Sequence, residues 1–117
     1  MSGALIVCAG VAICAFAKQL VDRVNITPVK GYSITVNLLD TASQQGARTV
    51  SLLDDETKLV ASRLSLDGFR VAGTAEFNGF NKDIRGDCIR PLVDWVNQCF
   101  QEVSTRQVVP WASLRPM

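Results

Sequence analysis

A chain of 117 residues makes one domain at most, and it is long enough to bury a core without a metal or a disulfide staple. Apolar residues make up 48% and charged residues 20%, and 12 basic side chains against 11 acidic ones leave a net charge of +1. That is the balance of a soluble globular protein, with no basic stripe for nucleic acid, and four cysteines without a C-x-x-C pair and without any histidine leave no zinc motif.

The amino-terminal run from Gly3 to Ala17 is apolar and uncharged, but shorter than the ~20 residues that span a bilayer. It lacks the positive n-region of an export signal, since the first basic residue is Lys18. Ala4 to Cys8 reads as a short strand buried on both faces, which Ala9-Gly10 breaks. From Ala12 the residues Ile13, Phe16, Ala17, Leu20 and Val21 recur at helical spacing. Cys8, Cys14, Cys88 and Cys99 all lie in apolar stretches and read as reduced core cysteines of a cytoplasmic protein.

Ile26 to Leu39 alternates as a long strand, with Pro28 and Gly31 forecasting a bulge or bend near its start. Residues 40–46 are small and polar and read as a surface loop. Thr49 to Leu53 and Lys58 to Leu64 read as short strands around the Asp54-Asp55-Glu56 turn. Asp67-Gly68 is a hairpin signal leading into Phe69 to Phe77. Strict alternation there puts Phe69, Val71, Gly73 and Ala75 on one face, and Arg70, Ala72, Thr74 and Glu76 on the other. A helix over residues 87–101 has an apolar stripe of Ile89, Leu92, Val93, Val96, Cys99 and Phe100, and Pro91 must sit near its first turn or bend it. Val108 to Trp111 is a final strand. Strands joined by tight turns are antiparallel neighbours. The expected fold is therefore α+β, an antiparallel sheet with a packed amphipathic helix. A buried first strand without visible neighbours gives the sequence the look of the middle of something larger.

Several of these pieces resemble one family. "ALIVCAGV" is similar to the strand-plus-Gly segment that closes the dinucleotide-binding domain of FAD-dependent amino-acid oxidases and dehydrogenases. "PVKGYSITV", "LLDDETKLVASRL", "FRVAGTAEF" and "PWASLRPM" resemble, in order, that family's crossing into the substrate domain, its sheet strands, and the strand returning toward the flavin. The order suits the D-amino acid dehydrogenases, which oxidise D-amino acids to 2-oxo acids. The G-x-G-x-x-G turn that cradles the FAD pyrophosphate is missing, as is the acidic residue for the ribose.

The resemblance implies residues 1–25 as a remnant strand and helix of the FAD-binding domain and 26–117 as substrate-domain-like. It implies Arg115 as a carboxylate clamp, with Tyr32 near the substrate; a planar guanidinium makes two parallel charge-assisted bonds to a carboxylate. It implies Cys8, Ala9, Gly10, Lys30 and Gly31 near FAD, and assigns no catalytic acid, base or metal ligand. FAD belongs to the parent enzymes, and this chain alone is expected not to bind it. The expected partners are a D-amino acid in the parent enzyme and either a second copy or a separate FAD-domain chain. The expected compartment is the cytoplasm, or for the parent family the periphery of the inner membrane. The alternative function is a non-catalytic, self-associating interaction domain, or one subunit of a multi-chain amino-acid dehydrogenase.

Overall fold

The computed structural model describes residues 3–117. A 3-10 turn (Gly10–Ala12) leads into α1 (Ile13–Gln19); then follow β1 (Pro28–Asn37), α2 (Thr41–Gly46), β2 (Leu52–Leu53), β3 (Val60–Arg63), β4 (Gly68–Glu76), α3 (Gly86–Cys99) and β5 (Val108–Pro116). The strands form one antiparallel sheet in the order β2-β3-β4-β1-β5. The α+β expectation holds. The longest strand, β1, sits between β4 and β5, so the element with the strongest alternation organises the sheet.

The core lies between one sheet face and α3. Tyr32, Ile34, Val36 and Leu38 of β1 and its extension meet Phe69 and Val71 of β4, with Leu92, Trp95 and Val96 of α3 above them. Phe100, just past α3, stacks edge-on against both Phe69 and Trp95, at ring-centroid separations of 5.0 and 5.5 Å. Each such fully buried side chain contributes about 1.5–3 kcal/mol. Pro91 lies inside α3, past its first turn and on its exposed side, and having no N–H it leaves the Asp87 carbonyl without its helical donor.

Several local expectations are corrected. Residues 4–8 are not a buried strand: they join no sheet, and Leu5 and Ile6 are 86% and 87% exposed. A doubly buried strand needs a partner on each edge, and this sheet offers none to that segment. The following helix is short, and of its forecast stripe only Ala17 is buried, while Phe16, Leu20 and Val21 are exposed. The polar stretch 40–46 is helical rather than loop. The Asp40 side chain caps it by accepting from the Ser43 N–H at 2.7 Å, and the buried Ser43 hydroxyl in turn accepts from the Ser104 N–H. The strand over 49–53 shrinks to two residues. The cysteines are free, but only Cys88, half-buried, packs against the core: Cys8 and Cys99 are exposed, and Cys14 is half-buried away from it.

No helix among the described residues is long and apolar enough to cross a membrane. The Cα radius of gyration is 18.1 Å, against roughly 13 Å for a compact chain of this length, so the molecule is elongated.

Candidate functional site

The site begins with one extra residue. Between Gly31 and Ser33, β1 advances two positions while β4 moves three, from Ala75 to Ala72. The bulge falls at Gly73-Thr74, opposite Tyr32. A bulge reverses the in–out alternation of the strand that carries it. Phe69 and Val71 point at α3, but beyond the bulge so do Thr74, whose hydroxyl donates to the Cys88 carbonyl at 2.9 Å, and Glu76. The expectation that Arg70 and Glu76 share a face is therefore wrong: they lie on opposite faces. Gly73 is required at the bend. Its φ is +155°, and a Cβ there would stand 2.7 Å from the Lys58 carbonyl and 2.6 Å from a Leu59 methyl.

On the α3 face, Glu76 gathers a polar cluster under the sheet edge. Lys30 Nζ lies 2.6 Å from Glu76 Oε1 and donates to the Asp83 carbonyl at 2.8 Å. Tyr32 OH donates to the same Glu76 oxygen at 2.5 Å, and Arg85 reaches Oε2 at 3.1 Å. The Lys30 bond and then the Tyr32 bond hold the Glu76 carboxyl down at about 2, against the cost of burial. Burial pushes Lys30 down, but its Glu76 and Tyr32 partners outweigh that and the ammonium ends above its ordinary value. Burial first, and then the Glu76 bond, raises the Tyr32 phenol. Lys30 and Tyr32 are thus only 1% and 2% exposed, and their polar tips are committed to this cluster.

Arg115 is elsewhere. Direct pairings place Val29, Gly31, Ser33 and Thr35 of β1 on the face opposite α3, together with Arg115, Ser113, Trp111 and Val109 of β5 and Arg70 and Ala72 of β4. No Asp or Glu stands among the strand residues of this face. Arg115 is exposed and lies across Gly31: its Nε is 3.4 Å from where a Gly31 Cβ would be. Among the described residues it makes no ion pair. It borders a cavity of about 120 Å³ whose other walls include Val29, Gly73, Thr74 and Met117. Arg115 itself covers the space that a Gly31 side chain would take, and Leu59 with the Lys58 carbonyl fills that of Gly73, so the cavity lies beside the guanidinium and not in either gap.

The structure therefore brings Arg115, Gly31 and Tyr32 to one cavity, while the Tyr32 hydroxyl and the Lys30 ammonium are turned to Glu76. Cys8 and Ala9 lead into the 3-10 turn, which opens with Gly10 and packs against β5, the strand of Arg115. Gly10 has φ +54° and nothing within 4 Å of a would-be Cβ, so backbone is open to close approach there. The chain has no G-x-G-x-x-G turn at a helix N-terminus, the element that cradles a dinucleotide pyrophosphate. Sequence reading missed the Arg70 arrangement. Arg70 Nη2 donates to Ser33 Oγ at 3.1 Å while its guanidinium lies 5.1 Å from the Trp111 ring centroid. Only register across three strands unites these residues.

No protein-family model matches the chain. It is 58% identical over 113 residues to D-amino acid dehydrogenase 3 of Mesorhizobium japonicum, covering 97% of this chain and 27% of that protein. It is 42% identical over 92 residues to D-amino acid dehydrogenase of Dechloromonas aromatica, covering 78% of this chain and 21% of that protein. An uncharacterized oxidoreductase of Halorhodospira halophila is 34% identical over 120 residues, covering 97% of this chain and 52% of that protein. The chain thus spans about a quarter of the length of the first two relatives.

Proposed function

We propose that this chain, homologous over nearly its whole length to a segment of the D-amino acid dehydrogenases, supplies the substrate-facing sheet of such an enzyme. Residues 26–117 then act as the substrate-binding part, and residues 1–25 as the link to a flavin domain. The observation that carries this reading is Arg115, an unpaired guanidinium beside a small cavity on a face without acidic strand residues. In this reading Arg115 binds the α-carboxylate through two parallel bonds and fixes the substrate's orientation.

Gly31 and Gly10 are the points where backbone comes close to ligand, with Cys8 and Ala9 leading into the second. Lys30 and Tyr32 act as positioning residues: they anchor Glu76 and hold β1 against β4 on either side of the bulge. FAD, when bound in an intact enzyme, would supply the hydride chemistry. The residues here would orient substrate and do not hold the pyrophosphate. The free cysteines suit the cytoplasm, the compartment this reading assigns.

A chimera tests it. The matching segment of the Mesorhizobium enzyme is replaced with this chain, and D-alanine-dependent dye reduction is measured. The chimera is expected to turn over, and Arg115→Leu to raise KM by about 100-fold, the loss of a bidentate charge-assisted contact. An active chimera whose KM ignores Arg115→Leu would refute the clamp.

A second reading, association with another copy or with a flavin-domain chain, is favoured by the exposed apolar residues Leu5, Ile6, Phe16, Leu20 and Val21. Sedimentation of the purified chain is expected to show a dimer or larger. Leu20→Glu combined with Val21→Lys should shift it to monomer.

A further inference from the structure

We propose that Arg70 is a second anion-binding residue on the face of Arg115, and that the substrate this face selects is a D-amino acid with an acidic side chain. The proposal rests on the reading of Arg115 as the α-carboxylate clamp.

A guanidinium carries five N–H donors. Arg70 spends one on Ser33 Oγ and, among the described residues, makes no ion pair. Its stack on Trp111 and its bond to Ser33 hold the planar fork in place before any ligand arrives. Little rotamer freedom is then lost on binding. Ser33 is 2% exposed and roofed by this arrangement. No Asp or Glu among the strand residues of the face stands beside either arginine, and neither makes an ion pair among the described residues.

The spacing selects the ligand. Arg115 lies over Gly31, and Arg70 reaches Ser33. These positions are two residues apart on one strand, about 7 Å. The terminal carboxyl carbons of an extended five-carbon diacid are about 5 Å apart. A charge-assisted bond of about 2.8 Å at each end lets one such ligand touch both arginines. An aromatic side chain fits less well, because Arg70 already covers a face of the Trp111 ring.

Amide NMR titrations of the purified chain at low salt test the proposal, with D-alanine, D-glutamate and its neutral isostere D-glutamine. D-Glutamate is expected to bind about 10-fold tighter than either of the others, the worth of one partly exposed charge-assisted contact. Arg70→Gln should erase that advantage and leave D-alanine binding unchanged, whereas Arg115→Gln should weaken all three ligands. Equal binding of D-glutamate and D-glutamine to the wild-type chain overturns the proposal whatever the variant does. So does an advantage that survives Arg70→Gln. If D-alanine binding is undetectable or indifferent to Arg115→Gln, the clamp reading fails, and this proposal fails with it. Equal binding with Arg115 still required sinks the role of Arg70 alone.

Discussion

Gly73→Ala is expected to destabilise the chain by about 3 kcal/mol, combining backbone strain with overpacking, read as a fall in the urea midpoint. The added methyl would meet the Lys58 carbonyl at 2.7 Å and the Leu59 Cα at 3.0 Å. A flexible side chain can move away, but the Leu59 Cα and the Lys58 carbonyl belong to the chain leading into β3 and would carry the strand with them. The residue would also have to hold φ +155°, where L side chains are rarely found. Gly86→Ala is the control. It has nothing within 4 Å of its would-be Cβ and lies in the first turn of α3, so it should be neutral or slightly stabilising. The bulge also sets which side chains share a face. Relieving the clash by ironing it out would turn Glu76 away from Lys30, so partial repair carries its own cost.

Replacing Glu76 with leucine should be the most damaging change in the polar cluster. Lys30, 1% exposed, would keep only the Asp83 carbonyl as a strong acceptor, and Tyr32 OH would lose its acceptor. An uncompensated buried cation costs more than the intact pair contributes. Adding Lys30→Met to Glu76→Leu should therefore recover much of the lost stability. A double variant no more stable than the single would show that the cluster is not acting as a charge pair.

Titration gives the same prediction without mutation. Glu76 is held at about 2 against an ordinary value of 4.5. Asp54 is held at about 2 against 3.8, by Thr57 first and then by the Trp95 indole N–H at 2.8 Å. Both carboxyls have folded values below their unfolded ones, so the stability they supply is complete above about pH 4.5 and is lost as pH falls toward 2. Urea midpoints should hold steady from pH 7 to 5 and decline below that. Glu76→Gln should start lower and decline less steeply.

Much of the fold was written in local pattern. Period-two alternation from Ile34 to Leu38 placed the central strand, and the stripe Leu92, Val93, Val96 and Phe100 placed the packed helix, because burial of one face is decided by spacing alone. The "WASLRP" strand was likewise legible through the family resemblance, and β5 runs through it to Pro116. Other features were legible in part or not at all. The irregularity forecast at Gly31 does fall beside a register shift, but alternation could not reveal that the extra residue belongs to the partner strand, and so Glu76 fell on the wrong face. The same holds for the Lys30–Tyr32–Glu76 cluster, whose members lie up to 46 residues apart. It holds equally for Arg70 lying over Trp111, which required three strands in register. Residues 4–8 show the converse. Composition determined that they are apolar and extended in character, but whether an apolar segment is buried depends on what stands beside it, and here no strand does.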